Sequence, residues 1–201
     1  MPELPSRSTD VIDPCLLLEA YAQGVFPMAM EDGEMGWFSP DPRGIIPIRE
    51  FHVPHGLKRL LRRGAYEVRL NTAFTAVMRG CADRESTWIN ESILRSYVRL
   101  FELGFAHSVE TWMGHRLVGG LYGVAIGGAF FGESMFSRET GASQVALHAL
   151  VRRLDERGFT LLDTQWTTEH LSRFGAHEIA REDYLRRLER AIRLPCQFME
   201  S

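Results

Sequence analysis

Ala129-Phe130-Phe131-Gly132-Glu133-Ser134-Met135-Phe136-Ser137-Arg138 begins as an apolar run and turns polar at a glycine, a carboxylate and two hydroxyls. A carboxylate at the end of a hydrophobic strand is costly to bury without a partner or a purpose. Downstream the pattern recurs, as Phe159-Thr160-Leu161-Leu162 runs into Asp163-Thr164-Gln165. Two strands that each end on an acid predict one polar site at a shared sheet edge. The structural alternative makes Glu133 and Asp163 solvated strand ends, or partners of Arg138 and Arg173.

Working outward, 106–112, 116–126 and 129–135 alternate as three strands, with Met113-Gly114-His115 and Gly127-Gly128 as hairpin turns. On the C-terminal side, 143–157 has helical spacing with Leu147, Leu150, Val151 and Leu154 inward, stopped by Gly158. A strand over 159–163, a short helix over 168–174 closed by Gly175, and an amphipathic helix over 182–192 follow. On the N-terminal side, Ile93, Leu94, Tyr97, Val98 and Phe101 mark a helix over 90–103. Asn71 stands as a candidate cap for another, with Phe74, Val77, Met78 and Cys81 inward. Residues 66–70 alternate like a strand and 58–63 form a short helix. Asp13-Pro14 reads as N-cap and first helical residue, with Gly24 as the stop. Residues 25–47, rich in Pro, Gly and aromatics, predict a packed irregular loop. Meander, helix, strand, helix is an α+β order.

The chain has 201 residues, room for one generous domain or a domain with a small appendage. No apolar stretch approaches the ~20 residues that span a bilayer, and Met1 to Arg7 lacks an apolar signal core. Three cysteines far apart, Cys15, Cys81 and Cys196, form no disulfide frame and fit a reducing cytoplasm. The net charge of −3 hides an asymmetry: between Arg43 and Arg79, eight basic residues face only Glu50 and Glu67. Such a basic segment on an acidic protein suits a polyanionic partner. Lys58/Arg62 and Arg59/Arg63 are like-charge pairs at helical spacing, which disfavour the helix slightly and so point to function.

Other chemistries find less support. Gly132-Glu133-Ser134-Met135-Phe136 lacks the second glycine of a nucleophile elbow, and nothing nominates a triad histidine. His52 and His55 flank Pro54 with no Cys or acid cluster to complete a metal set, so no metal is expected. Arg138-Glu139-Thr140-Gly141-Ala142-Ser143 lies between a strand and a helix, where acyl-CoA N-acetyltransferases place a pyrophosphate-cradling loop; Ser143 stands where that loop has Gly or Ala. An acyl-CoA transferase is therefore an alternative, as is a non-catalytic binding module.

Taken together, Gly132 to Arg138 with Ala142-Ser143, Trp37-Phe38-Ser39-Pro40-Asp41-Pro42-Arg43, Thr87-Trp88-Ile89, Gly104-Phe105-Ala106-His107-Ser108-Val109-Glu110, Leu117 to Gly123 and Asp163-Thr164-Gln165 resemble the signature of leucyl/phenylalanyl-tRNA–protein transferases. The resemblance runs from about residue 14 to 190. It implies transfer of Leu, Phe or Met from aminoacyl-tRNA to the N-terminal amine of proteins beginning with Arg or Lys, marking them for degradation. It also implies an acetyltransferase-like (GNAT-like) domain over 41–201 that uses no cofactor, preceded by a small, abbreviated N-terminal domain over 1–40. A cytoplasmic monomer is expected.

By the same resemblance, Asp163, Gln165 and Glu133 fall at the catalytic centre. Trp88, Phe130, Leu121, Leu150 and Met28 match the side-chain pocket, and Lys58, Arg59, Arg62 and Arg63 the patch that meets the tRNA. The sequence departs from the family in Met28, where an aromatic is common, in Thr164 for Cys, and in Gln144 for Lys. A glycine-rich lead-in is also missing.

Overall fold

The computed structural model describes residues 11–199. In chain order the elements are α1 (Pro14–Ala22), β1 (Phe26–Ala29), β2 (Met35–Phe38), β3 (Arg43–Ile46), α2 (His55–Arg63), β4 (Glu67–Leu70), α3 (Phe74–Ala82), α4 (Glu91–Glu102), β5 (Ala106–Met113), β6 (Arg116–Ile126), β7 (Ala129–Ser137), α5 (Ala142–Glu156), β8 (Leu161–Gln165), α6 (Glu169–Ser172), β9 (His177–Ile179) and α7 (Arg181–Ala191). The α+β class holds: seven strands form one mixed sheet in the order β4-β5-β6-β7-β8-β3-β9, flanked by helices. Every pairing is antiparallel except β7 with β8. Among the described residues no helix is long and apolar enough to cross a membrane.

The central strands are buried on both faces, and their two-residue period sorts side chains into two cores. Tyr122, Val124, Phe131 and Leu161 join one cluster with α1, α3, α4 and α7. Leu121, Phe130 and Leu162 join the other with α5. Glycines in β6 let helices approach this sheet. A Cβ on Gly119 would stand 2.6 Å from the Cβ of Ala142 in α5, so the close approach requires a bare backbone there.

Three local expectations are corrected. Residues 25–47 are not irregular: β1 and β2 make a hairpin, and β3 enters the main sheet between β8 and β9. Short strands hid there because prolines and glycines interrupt the apolar alternation. The strand β9 escaped for a similar reason, being three residues long and mostly exposed. Asn71 does not cap α3; its φ is 58° and its side-chain oxygen accepts from the Ser108 N–H. Glu110, fully buried, instead gathers the N–H groups of Thr72 and Ala73 and the hydroxyls of Thr72 and Ser108. Its anionic charge lies at the α3 N-terminus, where the helix dipole favours it.

At the start of the described chain, Asp13 caps α1 through Cys15 and Leu16 N–H and Pro14 opens the helix, as predicted.

The close approach at Gly119 sets a test. Gly119→Ala is expected to destabilise the fold by ~1–3 kcal/mol through overpacking, read as a lower urea midpoint; an unchanged midpoint would show that α5 can retreat from β6 at no cost.

Candidate functional site

The parallel ladder of β7 and β8 pairs Ala129 with Leu161, Phe130 with Leu162 and Phe131 with Asp163, and no registered pair lies beyond. A cavity of about 300 Å³ opens at that end. Leu121, Leu147, Leu150 and Leu162 make its aliphatic wall, and Phe26, Met28, Trp88, Met135 and Trp166 line it from the other elements. Its polar edge is Glu133 on β7 and Gln165 on β8, with Gln165 Nε2 donating to Glu133 Oε1 at 3.4 Å. The polar site expected where two strands end is therefore present, and apolar surface faces it.

Neither structural alternative for Glu133 is found. Arg138 lies near Asp83 and Arg173 pairs with Glu169. Glu133 instead accepts from Tyr21 at 2.7 Å and from Tyr97 at 3.3 Å, and the two tyrosine hydroxyls also bond each other. Burial pushes the carboxyl up from 4.5 to about 8; Asp163 adds to the shift, while the tyrosines and Arg43 oppose it. Burial and Glu133 also raise both phenols well above their usual range, so they remain donors. In the sequence Tyr21 and Tyr97 each read as an apolar stripe residue of a helix, and nothing there singles them out as donors.

Asp163 has a different environment. It is fully buried, is absent from the cavity wall, and accepts four hydrogen bonds. Oδ1 takes Arg43 Nε at 2.9 Å and the Gln165 N–H at 2.8 Å. Oδ2 takes Arg43 NH2 at 2.6 Å and the Tyr184 hydroxyl at 2.8 Å. This carboxylate is therefore neutralised and saturated within the fold. What it holds is a turn: Gln165 has φ 59°, and the Trp166 N–H closes on the Thr164 carbonyl at 2.6 Å. Three-residue turns with a positive central φ are rare and strained, and such strain concentrates at functional sites. Arg43 was legible only as one cation in the basic segment.

The pocket residues divide. Met28, Trp88, Leu121 and Leu150 line the cavity. Phe130 does not: it is fully buried within the α5-side core that also supplies Leu121, Leu150 and Leu162, and its ring lies 5.4 Å from that of Phe198. The Ser134 hydroxyl accepts from Arg84 at 3.1 Å.

The loop before α5 is closed rather than open for pyrophosphate. Ser137 Oγ accepts the Ser143 N–H at 3.1 Å, and a Cβ on Gly141 would meet Leu60 at 2.3 Å. Leu60 belongs to α2, whose Leu57 is buried while Lys58, Arg59, Arg62 and Arg63 are exposed. None of these four cations forms an ion pair among the described residues. The like-charge helix thus presents its cations outward together.

The family model described as leucyl/phenylalanyl-tRNA protein transferase matches residues 45–189, and the model of that transferase's N-terminal domain matches residues 10–41. A relative from Paramagnetospirillum magneticum, named leucyl/phenylalanyl-tRNA–protein transferase, is 58% identical over 183 residues, 88% of each chain. A protein of the same name from Gloeobacter violaceus is 52% identical over 93% of this chain and 97% of its own. Another, from Phenylobacterium zucineum, is 55% identical over 90% of this chain and 85% of its own. With matches of this identity along most of its length, the chain belongs to the leucyl/phenylalanyl-tRNA protein transferase family.

Proposed function

We propose that the protein transfers Leu, Phe or Met from aminoacyl-tRNA to the N-terminal amine of proteins beginning with Arg or Lys, committing them to degradation. Family membership supports the transfer, and one observation carries it to residues: an apolar cavity that ends on the hydrogen-bonded pair Glu133–Gln165. The larger unit, 41–201, is read as GNAT-like because an antiparallel meander leads through α5 into a parallel β7–β8 pair that stops pairing at the site. Residues 1–40 form the small N-terminal domain, of which 1–10 lie outside the described residues. The enzyme works as a cytoplasmic monomer and requires no cofactor, since an aminoacyl ester is already activated.

In this reading the aminoacyl side chain occupies the cavity among Leu121, Leu150, Trp88 and Met28, with the ester at its polar edge. The attacking α-amine forms the amide as the bond from the acyl carbon to the ribose oxygen breaks, and that oxygen takes up a proton to leave as the ribose hydroxyl. Gln165 is too weak a base to remove the amine proton; it hydrogen-bonds the amine and aims it. Aiming counts for much, because correct positioning of two reactants is worth ~7–11 kcal/mol.

Glu133 is the carboxylate at the cavity wall that can take the proton. A general base works best with a pKa near the operating pH. Its value of about 8 lies close to the 7.7–8.0 typical of an α-amine. An ammonium arriving beside it can therefore share its proton with Glu133 and become nucleophilic. Asp163 acts through the turn it holds, as a positioning residue. Pocket selectivity is graded, since one methylene is worth only ~1–3 kcal/mol, and the flexible Met28 softens it. The exposed cations Lys58, Arg59, Arg62 and Arg63 meet phosphates of the tRNA.

These roles can be tested one by one. Gln165→Ala should lower the transfer rate on the order of 10²-fold with tRNA affinity unchanged; parental turnover would remove Gln165 from the chemistry. Changing Arg59, Arg62 and Arg63 together to Ala should flatten the dependence of log affinity on log salt by roughly 0.7–0.9 for each phosphate that the helix no longer neutralises. An unaltered slope would place the tRNA elsewhere on the surface.

For Glu133, the folded carboxyl keeps its proton up to about 8, whereas the exposed group releases it near 4.5. Between those values the native state binds more protons, so stability falls as pH rises through the window, at about 1.4 kcal/mol per unit. Glu133→Gln should therefore abolish transfer yet raise the urea midpoint at pH above ~8, with little effect below ~4.5. Equal stability effects at both ends would mean that the carboxyl is not held neutral.

A further inference from the structure

Arg43 does not line the cavity, yet it is the bulkiest of the fully buried side chains. Burial alone would pull its guanidinium down, and Asp163 more than reverses this, so it stays charged. A buried ion pair is weak grounds for stability, because apolar residues of similar volume often replace one without loss. What Arg43 touches gives it a role beyond stability.

Its contacts converge on the turn that carries Gln165. Arg43 Nε shares Asp163 Oδ1 with the Gln165 N–H, while NH2 fixes Oδ2 at 2.6 Å. Its NH1 donates to the Gly24 carbonyl at 2.9 Å, just after α1. The guanidinium lies 5.0 Å from the Phe26 ring centre and 4.4 Å from that of Tyr184. Phe26 in turn meets Trp166 edge-on at 5.3 Å, and both rings line the cavity. The neighbouring Gly44 pairs with Gln165, and a Cβ there would come within 2.6 Å of the Trp166 carbonyl carbon. The β3 strand thus runs against the turn, with Arg43 at the point where the N-terminal segment, β8 and α7 meet.

We propose that Arg43 is a positioning residue for the transfer reaction: through both oxygens of Asp163 it holds the Gln165 turn in register with Glu133, and it clasps the α1–β1 segment onto that turn. The role depends on the planar fork. One guanidinium grips both carboxylate oxygens and still reaches the Gly24 carbonyl; an ammonium supplies the same charge from a single point. Charge neutralisation alone would tolerate lysine, whereas holding the turn would not. The inference rests on the transfer reaction and on Gln165 acting in it.

The discriminating experiment is single-turnover transfer from labelled Phe-tRNA to a peptide with N-terminal Arg, using Arg43→Lys and Tyr184→Phe with enzyme in excess. At saturating enzyme excess every Phe-tRNA is bound to folded protein, so the rate constant reports alignment and does not depend on the folded fraction. Arg43→Lys should lower the rate constant on the order of 10²-fold, the usual cost of a small misplacement. Tyr184→Phe, which removes one donor from Asp163 and leaves Arg43 in place, should lower it about tenfold. Affinity for Phe-tRNA should match the parent in both. A parental rate constant in both variants, whatever their melting temperatures, overturns the proposal. If Arg43→Lys yields no folded protein, Tyr184→Phe decides alone by the same criterion. A parent protein that transfers nothing would instead sink the transfer reaction itself, which is a separate result.

Discussion

Asp163 accepts four hydrogen bonds in a site without solvent, two of them from a guanidinium equally buried. Removing either ion would strand the other, at a cost of about 3–5 kcal/mol for a broken buried pair. The pair also fixes geometry across distant parts of the chain. One end is tied to Gly24 after α1, the other to Tyr184 on α7 and to the backbone of Gln165. The position of Gln165, and with it the polar edge of the cavity, therefore depends on residues separated by most of the sequence.

The two carboxylates of the site sit in opposite electrostatic environments. Asp163 is matched with a permanent cation and removed from the cavity. Glu133 receives phenolic donors but no contacting cation, and burial drives it toward neutrality. Environments that separate the behaviour of neighbouring acids are how enzymes divide roles between them. In the transfer reaction we propose, that division leaves one acid to hold a turn and the other to face the incoming amine.

The cavity exists because the sheet stops pairing at that point. Antiparallel strands from β4 to β7 supply a rigid wall, and β8 follows β7 in parallel for three registered pairs. Past the last pair, side chains from α5, β6, the β1–β2 hairpin and the segment after β8 fill the gap only partly. The basic helix α2 packs Leu60 over the loop before α5 and keeps its cations outward. The exposed charge suits a polyanion.

Much of this was legible in the chain. Alternation in 106–135, helical spacing in 143–157 and the cap at Asp13-Pro14 depend on local periodicity and backbone chemistry, which a sequence displays directly. The acids at two strand ends announced a site for the same reason, since charge at the end of an apolar run is conspicuous. Partnership was not legible. Arg43 looked like one cation among eight, Tyr21 and Tyr97 like core residues, and Phe130 like a pocket residue although it is fully buried behind the leucines that line the cavity. By itself the sequence determined the longer helices, the central strands, the apolar faces and the two strand-end acids, because these arise from neighbours within a few residues. Only the tertiary structure decided which acid is neutralised and which is raised, because burial and ion pairing are set by groups brought together from across the chain.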